Sequence, residues 1–390
     1  MKYDRAFFDA GAIRQGTRSV KWDEPECCLP GDIPLWVADW DFRCAQPIRE
    51  ALKRRAEMDC YGYPCADDND QRAFCAYWKR RHGVAFAPEE TAMMPSVVAG
   101  LRQAVLCFTE PNDGVILFTP VYHPFQDAVT RSGRRILATP LIRRSDAGYD
   151  LDFDALENHL RNGSRLILLC NPHNPVSRAW RREELERVVR LANACGAVLV
   201  SDEIHADFVY SPLRHVSILT VPDAEKCALL LASASKTFNV PGLQQSMAVS
   251  HRADLLDKIK ANMDMQGVSS GNAFALDATQ AAYTSCDDWL DSLRAYLEES
   301  RALLETELPR LLPRAVLAPI EATALCWIDL RAYGKSSAEL FDLFRAHHVT
   351  LSQGTLFDET LGEGFMRLNF ACPHAQLREG LRRMAEALEK

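Results

Sequence analysis

The chain has 390 residues, 47% hydrophobic and 25% charged, with a formal net charge of -8. That length exceeds one typical domain and can bury a sizeable core, while an acidic balance with both signs interspersed argues against nucleic acid as the main partner. Its 13 cysteines are no disulfide scaffold in so long a chain: Cys107, Cys170 and Cys195 sit in apolar or helical patterns as small hydrophobes, and Cys27-Cys28 and Cys60 with Cys65 lack the paired C-x-x-C spacing of zinc sites, so no metal is expected.

The start, Met1-Lys2-Tyr3-Asp4-Arg5, opens no apolar signal region, and no run approaches membrane-spanning length. A cytoplasmic, reduced setting with no membrane contact is expected. Met94 to Leu101 precedes a helical pattern through Leu106, which sets the backbone N–H groups of Ser96, Val97 and Val98 at a helix N-terminus, a place for a phosphate. Val115-Ile116-Leu117-Phe118 reads as an apolar strand, ending in Thr119 to Phe125 with Tyr122 placed to stack on a ring. Leu166-Ile167-Leu168-Leu169 reads as a strand buried on both faces, ending in Cys170-Asn171-Pro172-His173-Asn174-Pro175.

From Arg181 to Cys195, Leu185, Val188, Val189 and Ala192 mark one helix face, and Gly196 makes a stop. The mixed charges from Arg178 to Arg190 read as an exposed helix face. Ala197-Val198-Leu199-Val200 is another buried strand, ending in Ser201-Asp202-Glu203-Ile204-His205, so the three pieces form a right-handed βαβ unit of a parallel sheet. Ala228-Leu229-Leu230-Leu231 leads into Ser233-Ala234-Ser235-Lys236-Thr237-Phe238-Asn239. A long helix is expected from Trp289 to Leu312, ended by Pro313.

Lys236, just past a buried strand with two hydroxyls close upstream, fits an amine that carries a phosphorylated aldehyde as a Schiff base, which points to pyridoxal 5'-phosphate. In open α/β sheets the site lies beyond the carboxyl ends of the strands, so Asn174, Asp202 and Lys236 can converge there. Asp202 against the ring nitrogen would keep it protonated, and Asn174 would donate to the phenolic oxygen. His205 would reach the same oxygen or orient the aspartate, while Ser233 and Ser235 would add hydroxyls to the phosphate. Each also has a plain reading: Lys236 as a solvated loop residue, Tyr122 as a packed aromatic, His205 as a histidine satisfying a nearby backbone group.

Together with Pro34 to Phe42, Tyr61-Gly62-Tyr63, Pro120-Val121-Tyr122 and Met366-Arg367-Leu368-Asn369, these segments resemble fold-type I pyridoxal phosphate enzymes of the aminotransferase class I/II superfamily. The likeness is narrower still to the cystathionine β-lyase and cysteine carbon–sulfur lyase branch, and it spans positions 34 to 369. It implies an α/β fold: a mostly parallel, doubly wound sheet in a large cofactor domain over 46–285. A smaller α+β domain is then formed by an N-terminal arm, 1–45, and the C-terminal part, 286–390. It implies that Arg367 grips the α-carboxylate of a small amino-acid substrate, with Asn174 and Ala38 beside it. Tyr63 would reach the cofactor phosphate of the neighbouring subunit, which makes the enzyme a homodimer with active sites at the interface.

Two departures mark the chain. Gln244 stands where ordinary class I aminotransferases place a phosphate-binding arginine, which suits the lyase branch. Ser177 stands where the family usually has glycine, which leaves the local turn open. The expected reaction is β-elimination from cystathionine, cysteine or S-substituted cysteines to thiol, pyruvate and ammonia; transamination on the same residues is the alternative, and a non-catalytic regulatory protein on the same fold the remote one.

Overall fold

The computed structural model describes residues 3–24, 29, 31–268 and 271–389, so Met1-Lys2 and the Cys27-Cys28 pair lie outside the described residues. A seven-stranded sheet runs in the order Thr91–Met94, Ser246–Val249, Ala228–Ala232, Val198–Asp202, Leu166–Cys170, Gly114–Thr119, Arg135–Pro140. From Ala228–Ala232 to Arg135–Pro140 every pairing is parallel, and Ser246–Val249 runs against both its neighbours. Thr91–Met94 therefore points with the parallel set, and only Ser246–Val249 is reversed.

The unbroken apolar runs divide their side chains between two faces, as the two-residue repeat of a pleated strand demands. Val115, Leu117, Leu168, Val200 and Leu231 fill one layer with Leu101 and Ile259 from covering helices. Ile116, Phe118, Ile167, Leu169, Leu199 and Leu230 fill the other with Leu185, Val188 and Val189. The sheet is thus wound on both sides, the doubly wound α/β class. At Gly100 the helix Val97–Phe108 lies so near the sheet that a Cβ would stand 2.7 Å from Met94 Cε and 3.0 Å from Leu231 Cδ2. Glycine permits that approach and so seats the helix N-terminus at the sheet's edge.

The helix expected from Arg181 spans Arg182–Cys195, and Gly196 closes it at φ +64°. The exposed face expected over Arg178 to Arg190 is corrected at its start. Arg178 precedes the helix and is buried, held between Glu184 at 3.0 Å and Glu321 at 2.8 Å. Local charge alternation cannot separate a solvated face from a buried ion cluster when one partner comes from a distant segment. The long helix runs Asp287–Leu311 and takes Pro309 into its last turn, stopping short of Pro313.

A second, four-stranded sheet is antiparallel, in the order Val316–Leu317, Leu325–Asp329, Phe365–Asn369, Ser352–Gln353. The N-terminal segment joins it: Ile33–Pro34 pairs in parallel with Val349–Thr350, and the Asn369 side-chain amide donates to Val37 O at 2.5 Å and Asp39 O at 2.7 Å. The chain then crosses to the large sheet, where the Trp40 indole donates to Lys236 O at 2.6 Å and the Trp40 amide to Asn239 Oδ1 at 3.0 Å. Among the described residues no helix is long and apolar enough to cross a membrane.

Candidate active site

Thr91–Met94, Gly114–Thr119, Leu166–Cys170, Val198–Asp202 and Ala228–Ala232 all end at one edge, and the reversed strand Ser246–Val249 begins there. Their turns enclose a cavity of about 320 Å³. Ser96, Val97, Val98, Tyr122, Asn174, Asp202, His205, Ser233, Ser235 and Lys236 all line it, and Ala38 closes it from the N-terminal segment.

Lys236 lies in the short helix Ala234–Thr237, and its Nζ donates to Ala38 O at 2.5 Å. Enclosure pushes its pKa down to about 8, with Arg367 adding to the effect and Asp39 and Asp202 opposing it. Asp202 is buried at the end of its strand and accepts the Ile204 amide at 3.0 Å. Burial, reinforced by the charge of Glu203, pushes its carboxyl up to about 7. His205 is buried with Nδ1 unpartnered, and burial with the nearby Lys236 and Arg367 pushes it down to about 3. Among the described residues no hydrogen bond joins His205 to Asp202; the Ile204 amide orients the aspartate instead.

Arg367, on the strand Phe365–Asn369, borders the cavity through Asn174, to whose Oδ1 it donates at 3.1 Å. Asn174 thereby keeps its amide N–H groups for the cavity it lines. The guanidinium also donates to Trp36 O at 2.6 Å and Ser352 Oγ at 3.1 Å, and lies 4.8 Å above the Phe357 ring. Burial pushes its pKa down to about 10, and among the described residues its Nε has no partner and no carboxylate is bonded to it.

Ser96 caps the helix Val97–Phe108 by accepting the Ala99 amide at 3.1 Å. The Val97 and Val98 N–H groups belong to the first turn, where no intrahelical carbonyl reaches them. Ser233 accepts the Ser235 amide at 3.0 Å and donates to Gln245 O at 2.5 Å. Among the described residues, one cavity therefore gathers an enclosed amine, a buried carboxylate with no cation bonded to it and helix-terminal N–H groups without a partner. That set fits pyridoxal 5'-phosphate: the amine its aldehyde, Asp202 its ring nitrogen, the helix terminus its phosphate.

Tyr63 is the one sequence candidate set apart; it is fully exposed, between the helices Gln46–Ala56 and Asp68–His82. Sequence reasoning did not find Ile204, Pro241 and Gln245 on the cavity wall, nor Ser352 and Phe357 around Arg367. It read Cys170 as a buried apolar residue. Buried it is, but its Sγ also accepts the Asn174 amide at 3.5 Å and donates to Pro172 O at 3.2 Å. The Asn174 turn keeps the left-handed conformation a glycine would favour, with Ser177 at φ +57°.

The family model for aminotransferase class I and II matches residues 35–384. Cystathionine beta-lyase PatB of Bacillus subtilis is 40% identical over 98% of this chain and 99% of its own length. Among solved structures, cystalysin from Treponema denticola, which contains pyridoxal 5'-phosphate, superposes with a TM-score of 0.93 at 27% identity, covering 100% of this chain and 99% of that one. A pyridoxal phosphate-bound carbon–sulfur lyase from Staphylococcus hominis does so with a TM-score of 0.90 at 29% identity over 98% of both chains.

Proposed function

Because the chain belongs to the aminotransferase class I and II family, we propose that it is a pyridoxal 5'-phosphate-dependent carbon–sulfur β-lyase acting on cystathionine, cysteine or S-substituted cysteines. The observation that carries this reading is a lysine amine with no carboxylate bonded to it among the described residues, enclosed in one cavity with the buried Asp202 and bordered by Arg367.

Lys236 would hold the cofactor's aldehyde carbon, Asp202 its ring nitrogen, and Asn174 with His205 its phenolic oxygen. Tyr122 would bound the ring, and Ser96, Val97, Val98, Ser233 and Ser235 would hold the phosphate. When bound, the cofactor draws electron density from the substrate α-carbon and makes its proton removable. Arg367 receives the substrate carboxylate, for which a planar guanidinium fork is the matched donor, with the backbone of Ala38 alongside. Once the substrate amine has displaced it from the aldehyde carbon, the freed Lys236 Nζ would take the α-proton, a task its lowered pKa of about 8 suits near neutral pH. The thiolate then leaves the β-carbon with the electron pair of the carbon–sulfur bond and picks up a proton. Substrate and one water become thiol, pyruvate and ammonia.

Pyruvate and thiol formed from cystathionine without added keto acid is the expected result. Amino transfer that requires a keto acid, with no pyruvate, would place the chain with the aminotransferases instead. A panel of cystathionine, cystine and alkyl cysteines then ranks the sulfur substituents. The proposal includes a cytoplasmic homodimer in which Tyr63, fully exposed on its own chain, reaches the cofactor phosphate held by the partner subunit. Sedimentation as a monomer with full activity would remove that part.

A further inference from the structure

Ser177 lies in the loop that carries Asn174, closed where the His173 amide donates to Arg178 O at 2.8 Å. Its φ of +57° is a conformation glycine adopts freely and a side chain does not. The side chain is nevertheless in use. Ser177 Oγ donates to Leu325 O at 2.5 Å and lies 3.3 Å from Thr323 Oγ1, and Ser177 O accepts the Glu321 and Ala322 amides at 3.1 and 3.0 Å.

Leu325 opens the strand Leu325–Asp329, whose Trp327 is the register partner of Arg367. The same segment is tied to the loop after His205: the Thr323 amide donates to Phe208 O at 2.6 Å and the Tyr210 hydroxyl to Thr323 O at 2.7 Å. Glu321 adds ion pairs to Arg178 at 2.8 Å and Arg181 at 3.0 Å. Ser177 and Thr323 are buried, so water cannot readily replace the partners they give up.

We propose that Ser177 is a positioning residue whose hydroxyl rivets the Asn174 turn to the strand beside Arg367, holding the Asn174–Arg367 contact in place before an amino-acid substrate arrives. Glycine would make the turn with less backbone cost and no bond to Leu325. Strain kept beside a site, with a tertiary bond to offset it, is expected where geometry there matters. If the two sheets part for some of the time, the apparent dissociation constant of substrate rises by the inverse of the closed fraction. This rests on Arg367 as the carboxylate grip, and the test keeps the two claims apart.

The test is Ser177→Gly in the cofactor-loaded protein, followed by amide hydrogen exchange on peptides covering Leu325–Asp329, Phe365–Asn369 and, as reference, Leu166–Cys170. The first two strands should exchange faster while the reference stays as in wild type. KM for the amino-acid substrate should rise about 5-fold, with kcat within about 2-fold. Glu321→Gln weakens the same tie, so its effect should combine with Ser177→Gly less than additively. Unchanged exchange in both strands overturns the proposal, as does a fall in kcat with KM unmoved. Unchanged exchange together with a raised KM in Arg367→Ala defeats the rivet and leaves the grip standing.

Discussion

Two lysines reach the same short stretch of backbone and meet opposite fates there. Lys21 is fully buried, and its Nζ donates to Asp39 O at 3.2 Å and to the Asp41 carboxylate at 2.9 Å. Asp41 in turn accepts the Trp22 indole at 2.8 Å and the Gln376 amide at 2.9 Å. Lys236 reaches Ala38 O one residue earlier, opens on the cavity and, among the described residues, has no carboxylate bonded to it. A buried ammonium against a carboxylate is a structural tie, whereas one offered only a carbonyl and little water becomes an available amine.

The arginines repeat the contrast. Arg14 is paired with Asp39 at 2.7 Å, and burial opposes but does not outweigh the hydrogen bond and charge of Asp39, which hold its pKa up. Arg367, just across the segment, is pushed down to about 10. The N-terminal cluster neutralises its charges internally. The proposed site would keep its own for a ligand.

The largest expected effect tests the amine itself. Lys236→Ala should lower kcat by about 10³-fold or more, because the proposed proton transfer and cofactor attachment both use that nitrogen. Near-normal pyruvate formation, with the cofactor's absorbance unaltered, would break the contrast at its centre. Lys21→Ala should act on stability: it leaves Asp41 buried without its lysine, at a cost of about 3 kcal/mol in urea unfolding. A loss below about 1 kcal/mol would remove Lys21 as a structural tie.

Arg367→Ala should weaken substrate binding by about 2 kcal/mol, roughly 30-fold in KM, if the carboxylate pair is desolvated. Unaltered KM across the substrate panel would take Arg367 out of the site.

The smallest effect is a pH slope in the cofactor-free protein. The Asp202 carboxyl rises on folding from its ordinary 3.8 to about 7, so its stabilising contribution is complete below pH 3.8 and is lost as pH rises through 7. Lys236 falls from 10.5 to about 8, so its contribution is complete above pH 10.5 and is lost as pH falls through 8. Stability should therefore dip between about pH 7 and 8. Asp202→Asn should flatten the acid limb in thermal melts and Lys236→Met the alkaline one.

Four apolar runs, each ending in a polar turn, were legible as parallel strands because two-sided burial leaves no polar alternation in a strand. Their ends named Tyr122, Asn174, Asp202 and Lys236 without any tertiary information, since a parallel sheet sends all such ends to one edge. Ser246–Val249 carried no comparable signal, and its reversal brings Gln245 to the cavity. Around Arg367, Trp36, Ser352 and Phe357 come from short segments with no periodicity. Nothing adjacent to Ser177 reveals Leu325, and nothing near Lys21 reveals Asp41. The Ile204 amide that holds the Asp202 carboxylate comes from the turn's own backbone geometry, which no side-chain pattern announces.

By itself the sequence determined the strand and helix types, the edge where their polar turns gather, and the residue types offered there, because periodicity and turn chemistry are local. Only the tertiary structure decided which charges are neutralised and which are left for a ligand. A pKa of about 8 for Lys236 and about 7 for Asp202 depends on water excluded by residues from several turns of the large sheet and from the N-terminal segment, and desolvation belongs to the enclosure rather than to any one stretch of chain.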